Sequence, residues 1–125
     1  MISVNSCQQV DLFGQVNSES AGLQHIGGTG GQPDYVMGAF KSNGGKSFLC
    51  LPSTRVLKDG TRESLIRPTL PEGSIVSTPR SGVHYIVTEY GAVNLKGKNT
   101  YIRFYSSYLV KALKKAAGQV AFFVV

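Results

Sequence analysis

The sequence predicts an α/β fold, in which a glycine-rich loop and one helix connect strands of an open sheet. Three observations carry this prediction. A glycine-rich loop precedes a helix signal at Pro33, a glycine pair at Gly44 and Gly45 follows that signal, and short apolar segments flank the unit. The order strand, glycine loop, helix, glycine turn, strand is typical of a βαβ-like unit.

Short apolar runs of the length expected for strands surround the loops. We assign strands to residues 2–4, 10–13, 48–51, 75–76 and 83–88. The last run is rich in β-branched and aromatic residues, which favours a largely buried strand. A turn signal at residues 58–61, between the runs 54–57 and 63–66, predicts a hairpin.

The helix is expected to begin at Pro33, because proline suits the first helical position and Asp34 places an acid where the helix dipole favours it. One face of this helix carries the apolar side chains Tyr35, Val36, Ala39 and Phe40. Apolar residues recur at helical spacing again over residues 105–116. They predict an added C-terminal helix, which we interpret as packing on the body rather than lying on a membrane surface.

Length and composition limit the function classes. The chain has 125 residues and a mass of 13.4 kDa, which suits one domain. No apolar run approaches the ~20 residues that span a bilayer, and no secretion signal is recognised at the N-terminus. Cys7 and Cys50 do not form a metal or redox motif and are expected to be two buried thiols. These observations predict a cytoplasmic protein.

The positive charge is concentrated in the tail. Residues 1–97 carry eight cations and all seven acids, whereas residues 98–125 carry five cations and no acid. A nucleic-acid-binding domain needs a basic face interleaved with exposed aromatic side chains. Because the body lacks such a pattern, we expect no nucleic-acid partner.

The densest candidate site is the run Gly27, Gly28, Thr29, Gly30, Gly31, Gln32. A glycine loop that opens a helix points backbone N–H groups toward one spot, which suits a phosphate, a carboxylate or a developing oxyanion. The run matches neither the P-loop pattern nor the dinucleotide fingerprint. Both an anion or thioester site and a simple tight turn remain open at this stage.

Few other residues are candidates for catalysis. Glu89 ends a predicted buried strand, where a carboxylate can act as a base or nucleophile, or can cap the following turn. Asn17 and Gln15 offer amide donors that either bind substrate or stabilise a turn. His84 is expected to be a core histidine with a satisfied ring, and His25 has no metal-ligand spacing.

Six segments occur in the order found in one known family. They are Ile2-Ser3-Val4-Asn5-Ser6, residues 11–19, Gly27 to Gln32, Lys41-Ser42-Asn43-Gly44-Gly45-Lys46-Ser47, Leu51-Pro52-Ser53-Thr54 and residues 83–91. Together they resemble the C-terminal domain of the acetyl-CoA hydrolase/transferase family over residues 1–98. The 4-hydroxybutyrate and butyryl-CoA:acetate CoA-transferases look nearest.

The resemblance implies a CoA-transferase-like (NagB/RpiA/CoA-transferase) α/β fold, an open sheet flanked by helices, of which this chain would form the C-terminal lobe. It implies transfer of CoA between an acyl-CoA and a short-chain carboxylate, with CoA as substrate, no permanently bound cofactor and no metal. Asn17 and Gly60 match residues that donate to the acyl group or oxyanion. The loop from Gly27 to Gln32 would lie beside the thioester or the pantetheine arm.

The resemblance also implies what is missing. The nucleophilic glutamate of the family lies in an upstream His-Ser/Thr-Glu motif that this chain lacks. We therefore expect the nucleophile on a separate N-terminal lobe, an inactive isolated chain, and a homo-oligomer at full length. Residues 99–125 diverge from the family as a basic and apolar tail. Two alternatives stay open, an acetyl-CoA hydrolase and a non-catalytic module that binds CoA or phosphate.

Overall fold

A computed structural model describes residues 1–105 of the chain as several small sheets and two helices. The strands are β1 (Ile2–Ser6), β2 (Gln9–Asp11), β3 (Val16–Asn17), β4 (Ser20–Ala21), β5 (Gln24–His25), β6 (Lys46–Cys50), β7 (Thr54–Val56), β8 (Arg62–Ser64), β9 (Ile66–Arg67), β10 (Tyr85–Thr88) and β11 (Gly91–Asn94). The helices are α1 (Gln32–Lys41) and α2 (Thr100–Tyr105).

The longest strands form a four-stranded sheet in the order β1, β6, β10, β11. β1, β6 and β10 run parallel, and β11 closes the edge antiparallel to β10. α1 lies between β1 and β6 in the chain and packs on both strands. This parallel crossover confirms the predicted α/β class and its βαβ-like unit.

The boundaries of α1 follow from its sequence. Pro33 lies in the first turn with Asp34, and Lys41 lies in the last turn, where a cation suits the helix dipole. The helix ends at Ser42, whose N–H donates to the carbonyl of Gly38 at 3.0 Å. Gly45 is required in the next turn, because a Cβ there would collide with the backbone of the last helical turn.

One face of α1 covers the sheet, but it is narrower than predicted. Val36 and Ala39 are buried, as expected. Tyr35 is 57% exposed, so its side chain does not belong to the buried face of Val36 and Ala39. Its ring instead lies beside Gly31 at the start of the helix.

Residues 1–105 also form three smaller sheets. β2 lies between β3, which is antiparallel to it, and β9, which is parallel. β4 pairs with β5, and β7 pairs with β8 in the predicted hairpin. The predicted strand at residues 75–76 is wrong. The N–H of Ile75 donates to the side-chain hydroxyl of Ser20 in β4 at 3.1 Å, so this segment is held by a side chain and not by a strand ladder.

The core lies between the four-stranded sheet, α1 and the β2 sheet. Its fully buried members include Val10, Val16, Val36, Leu49, Ile66, Val83, Ile86 and Leu95. Cys7 is buried as predicted, whereas Cys50 is only partly buried. Burial, with a smaller effect from Cys50, raises the pKa of the Cys7 thiol to about 12, so this thiol is unreactive at neutral pH.

The sheet face opposite α1 is apolar and open within residues 1–105. Ile2 and Val4 are 71% and 68% exposed, while Ser3 between them is buried toward α1. The strand register places Val4, Phe48 and Tyr85 in one row, and the last two rings stack at 4.9 Å between centroids. An apolar face of this kind is typical of a surface that another polypeptide covers.

The predicted C-terminal helix, residues 105–116, lies almost entirely outside the described residues. α2 spans Thr100–Tyr105 and overlaps it only at Tyr105. Neither α1 nor α2 has the length and apolar character that a bilayer crossing needs.

Candidate functional site

The glycine loop, residues 27–31, is open to solvent and leads directly into α1. A Cβ added at Gly27, Gly28 or Gly30 would meet no atom within 4 Å. The N–H groups of residues 28–31 donate to no group within residues 1–105. Gly31, the N-cap of α1, provides no side-chain cap. Free N–H donors of the loop therefore lie next to an uncapped helix N-terminus.

Glu19 holds this loop through both its backbone and its side chain. Its carbonyl accepts hydrogen bonds from the N–H groups of Ile26 at 2.8 Å and Gly27 at 3.2 Å. Its buried carboxylate accepts one from the Thr29 hydroxyl at 2.8 Å. Hydrogen bonds from Ser77 and then Thr29 lower the pKa of Glu19 against the opposing effect of burial. Glu19 is thus an ionised positioning residue.

Asn17 stabilises the turn that precedes the loop. Its Oδ1 accepts hydrogen bonds from the N–H groups of Glu19 and Ser20, both at 3.0 Å. Its Nδ2 donates to the Ser20 carbonyl at 2.8 Å and faces Gln9 Oε1 at 3.5 Å. The side chain is fully buried. One N–H of the carboxamide is therefore firmly bound, and the other has only a long, weak contact.

Gly60 lies in the exposed turn of the β7–β8 hairpin, away from the glycine loop in the chain. Its φ of 86° requires glycine or a strained residue. Its N–H donates to the Leu57 carbonyl at 2.9 Å and closes the turn. The amide that the resemblance assigns to the oxyanion is thus occupied by the hairpin in this structure.

The last residue of the predicted run turns toward a different segment. Gln32 Nε2 donates to the hydroxyl of Thr78 at 3.2 Å, which connects the start of α1 to residues 77–80. Sequence reasoning did not include Tyr35 and Ser77 in the site. Tyr35 follows Gly31 by one helical turn, so the i,i+4 spacing was a usable signal. Ser77 gave no signal, because it meets Glu19 only through the fold.

A second feature joins the ends of β6 and β10. The Glu89 carboxylate accepts hydrogen bonds from the N–H of Ser53 at 2.8 Å and from its hydroxyl at 2.5 Å. Burial acts to raise the pKa of Glu89, but these hydrogen bonds outweigh it and lower the pKa. Glu89 also lines an open cavity of about 590 Å³ together with Cys50, Leu51, Pro52, Val87 and Thr88. Its role in this structure is to hold the Ser53 loop.

The other polar candidates serve the fold. Gln15 Nε2 donates to the Asp11 carboxylate at 2.7 Å and stabilises a turn. His84 is buried beside the Phe40 and Tyr85 rings, as expected of a core histidine. The expectation of a satisfied ring is wrong, since Nδ1 has no hydrogen-bond partner within residues 1–105. Within residues 1–105, no three His, Cys, Asp or Glu side chains are placed to hold a metal ion.

Comparison with known proteins settles the family. The model of the acetyl-CoA hydrolase/transferase C-terminal domain matches residues 1–107. The chain belongs to this family. The resemblance inferred from the six segments is therefore confirmed, and the match includes all of the glycine loop and both hairpin strands.

Two curated relatives of this chain are CoA-transferases. The butyryl-CoA:acetate CoA-transferase of Anaerostipes caccae is 55% identical over 102 residues, which cover 82% of this chain and 23% of the relative. The 4-hydroxybutyrate coenzyme A transferase of Clostridium kluyveri is 52% identical over 98 residues, which cover 78% and 22%. The chain therefore spans less than a quarter of each relative's length.

A solved structure has the same fold over this region. RipA from Yersinia pestis is 40% identical and superposes with a TM-score of 0.70 over 93% of this chain and 28% of RipA. The mixed α/β arrangement of open sheets and few helices thus lies within a larger protein in that case.

Proposed function

We propose that the chain is the C-terminal lobe of an acyl-CoA:carboxylate CoA-transferase with a CoA-transferase-like (NagB/RpiA/CoA-transferase) fold. The full protein would move CoA between an acyl-CoA and a short-chain carboxylate such as acetate, butyrate or 4-hydroxybutyrate. Both curated relatives, a butyryl-CoA:acetate CoA-transferase and a 4-hydroxybutyrate coenzyme A transferase, support this reaction class. CoA would be a substrate, with no permanently bound cofactor.

The observation that carries the proposal is the open glycine loop. Attack on a thioester carbonyl places a negative charge on its oxygen, and fixed N–H donors stabilise that charge. The free N–H groups of residues 28–31 and the N-terminus of α1 offer such donors. Glu19 fixes them before the substrate arrives, so no reorganisation is needed during the reaction.

The attacking carboxylate is proposed to come from outside this chain. In the exchange, that glutamate attacks the thioester carbonyl and expels CoA thiolate, leaving a mixed anhydride. The thiolate then attacks the glutamyl carbonyl, releases the first carboxylate and forms a glutamyl-CoA thioester. The second carboxylate reverses these steps. Glu19 and Glu89 do not suit this role, since each accepts two or more hydrogen bonds.

Asn17 and Gly60 are proposed as further donors, each after a defined local movement. The second N–H of Asn17 becomes available when the Gln9 side chain moves, because that contact is already 3.5 Å long. The Gly60 N–H becomes available when the hairpin turn releases the Leu57 carbonyl.

The missing lobe is proposed to cover the open sheet face. Ile2 and Val4 on β1 expose apolar side chains that a partner polypeptide would bury. The short share of each relative that the chain matches supports a further domain. A homo-oligomer at full length and a cytoplasmic location remain predictions.

A fusion protein tests the proposal. The part of the Anaerostipes caccae relative that precedes its matched domain is joined to the full chain, and CoA transfer from butyryl-CoA to acetate is assayed. We expect transfer by the fusion and none by the chain alone. Gly28→Ala should reduce transfer without unfolding, because a Cβ there meets no atom within 4 Å. A folded but inactive fusion that still binds CoA would instead indicate a binding module.

A comparison of CoA release with and without acetate distinguishes a hydrolase, for which water is the acceptor, from a transferase. If the fusion releases CoA from butyryl-CoA equally fast with and without acetate, the protein is a hydrolase. A rate that depends on acetate indicates a transferase, because the site then excludes water from the acyl intermediate.

A further inference from the structure

A second polar cavity of about 320 Å³ lies between two chain reversals, remote in sequence from the glycine loop. Its lining consists of Arg80, Ser81, Lys98, Asn99, Thr100 and Arg103. The first reversal is closed by a hydrogen bond from Gly82 N–H to the Pro79 carbonyl at 2.8 Å. The second is closed by Lys98 N–H to the Leu95 carbonyl at 3.2 Å. Both walls are therefore ordered turns.

Arg103 joins the two walls from α2. It is only 7% exposed. Its Nη1 donates to the Arg80 carbonyl at 2.7 Å, and its Nε donates to the Lys98 carbonyl at 2.9 Å. Gly14 lies against the Arg103 guanidinium, since a Cβ at this glycine would lie 2.8 Å from Nη1. Within residues 1–105, the hydrogen bonds of this buried guanidinium thus go to neutral carbonyl oxygens.

Within the described residues, the three cations of the cavity have no acidic partner. Within residues 1–105, the ion pairs join Glu63 to Arg55 and Arg67. Residues 106–125 contain no aspartate or glutamate that could supply a carboxylate side chain. Burial first, and then the charge of Arg80, lowers the pKa of Arg103. Positive charges held this close without a counter-charge favour a bound anion.

We propose that this cavity binds the dianion of a phosphate monoester or of inorganic phosphate. The guanidinium groups of Arg80 and Arg103 suit phosphate oxygens, because the planar fork donates two N–H groups to one tetrahedral anion. Arg80 is already oriented by its 3.0 Å hydrogen bond to the Thr100 hydroxyl. Lys98 adds a third charge, and the cavity volume accommodates one phosphate group with part of an attached group.

The proposed phosphate site differs in its chemistry from the glycine loop, for which we propose a catalytic role. The loop offers neutral N–H groups for a transient oxyanion, whereas this cavity offers full positive charges for a permanent dianion. The phosphate group bound here can be the 3′-phosphate of CoA or free inorganic phosphate. Variants of the cavity residues distinguish these two ligands.

Isothermal titration calorimetry of the full chain with inorganic phosphate at low ionic strength tests the site. We expect saturable binding of one phosphate. Arg80→Ala and Lys98→Ala should each weaken it about tenfold, as expected for loss of one charge-assisted contact. Lys41→Ala removes the same charge from the last turn of α1 and should leave binding unchanged. Absence of saturable binding, or equal affinities for all three variants, would overturn the proposal.

The same variants identify the source of the phosphate. If Arg80→Ala weakens binding of CoA but not of dephospho-CoA, the site exists and holds the 3′-phosphate. If it weakens binding of inorganic phosphate and leaves CoA affinity unchanged, the site exists and holds the free ion. Transfer by the fusion protein is assayed separately, so failure of the glycine-loop proposal remains distinguishable from failure of this one.

Discussion

The hydroxyl of Thr29 donates a 2.8 Å hydrogen bond to the carboxylate of Glu19. The carbonyl of the same glutamate accepts the N–H of Gly27. A loop made mostly of glycine is thereby fixed at its start and at its middle by one residue. This relationship explains how N–H groups without partners remain ordered in an exposed segment.

Removing the hydroxyl should loosen the loop. Thr29→Val keeps the shape of the side chain but removes a hydrogen bond to a buried carboxylate, and should lower the free energy of unfolding by about 1–2 kcal/mol. Urea denaturation measures the change. Thr61→Val is the matched control, because Thr61 makes the same contact to Asp59 on the exposed hairpin turn. Equal losses in the two variants would show that Glu19 does not fix the loop.

The Glu19 carboxylate should make stability depend on acid pH. Its pKa in the folded chain lies below the usual value of 4.5. The unfolded chain therefore binds a proton first as the pH falls. The stabilisation is complete above pH 4.5 and is lost as the pH falls through the lower folded pKa. Glu19→Gln should flatten this part of the stability profile, while Glu72→Gln, which alters an exposed carboxylate, should not. An unchanged slope in the first variant contradicts the account.

The packing of Arg103 against Gly14 predicts a large effect of a single methyl group. Gly14 and Gly60 have φ angles of 87° and 86°, so alanine costs about 1–2 kcal/mol of backbone strain at either position. Only at Gly14 would the Cβ also approach a buried guanidinium. Gly14→Ala should thus lower the thermal midpoint clearly more than Gly60→Ala. Similar midpoints for both variants would show that Arg103 moves freely.

His84 should stabilise the fold more at neutral than at mildly acidic pH. Burial, followed by the charges of Lys96 and Lys46, lowers its pKa from 6.5. The folded chain therefore disfavours the protonated ring, and stability falls as the pH drops from 6.5 through the folded pKa. His84→Phe should remove this dependence, and His25→Gln, on the exposed strand β5, should preserve it. A pH profile that His84→Phe leaves intact would assign the dependence to another group.

Patterns of neighbouring residues predicted the helices and turns that neighbouring residues determine. The Pro33 and Asp34 pair marks the start of α1, and the Asp59–Gly60 turn marks the β7–β8 hairpin. Residues 75–76 are apolar but short, and their backbone bonds to Ser20, a contact between distant parts of the chain. The contact of Glu89 with Ser53 spans 36 residues. No periodicity or spacing encodes such a pairing, so only the fold could assign Glu89 a positioning role.

The same distinction applies to the site. The glycine loop and the helix that follows it could be recognised from composition and order. The hydrogen bonds that join Asn17 to Ser20 and Gly60 to Leu57 depend on side-chain and turn conformation. A resemblance to a family transfers residue identity, but not the hydrogen bonds that a residue makes in one particular state.

Amide NMR of the full, isotope-labelled chain during titration with CoA tests whether the glycine loop faces the thioester. We expect saturable shifts of the Gly28, Thr29, Gly30 and Gly31 signals, with little change at Gly44, an equally unobstructed glycine beyond the other end of α1. If CoA at millimolar concentration leaves the loop signals unmoved, or moves them no more than Gly44, the loop does not face the thioester.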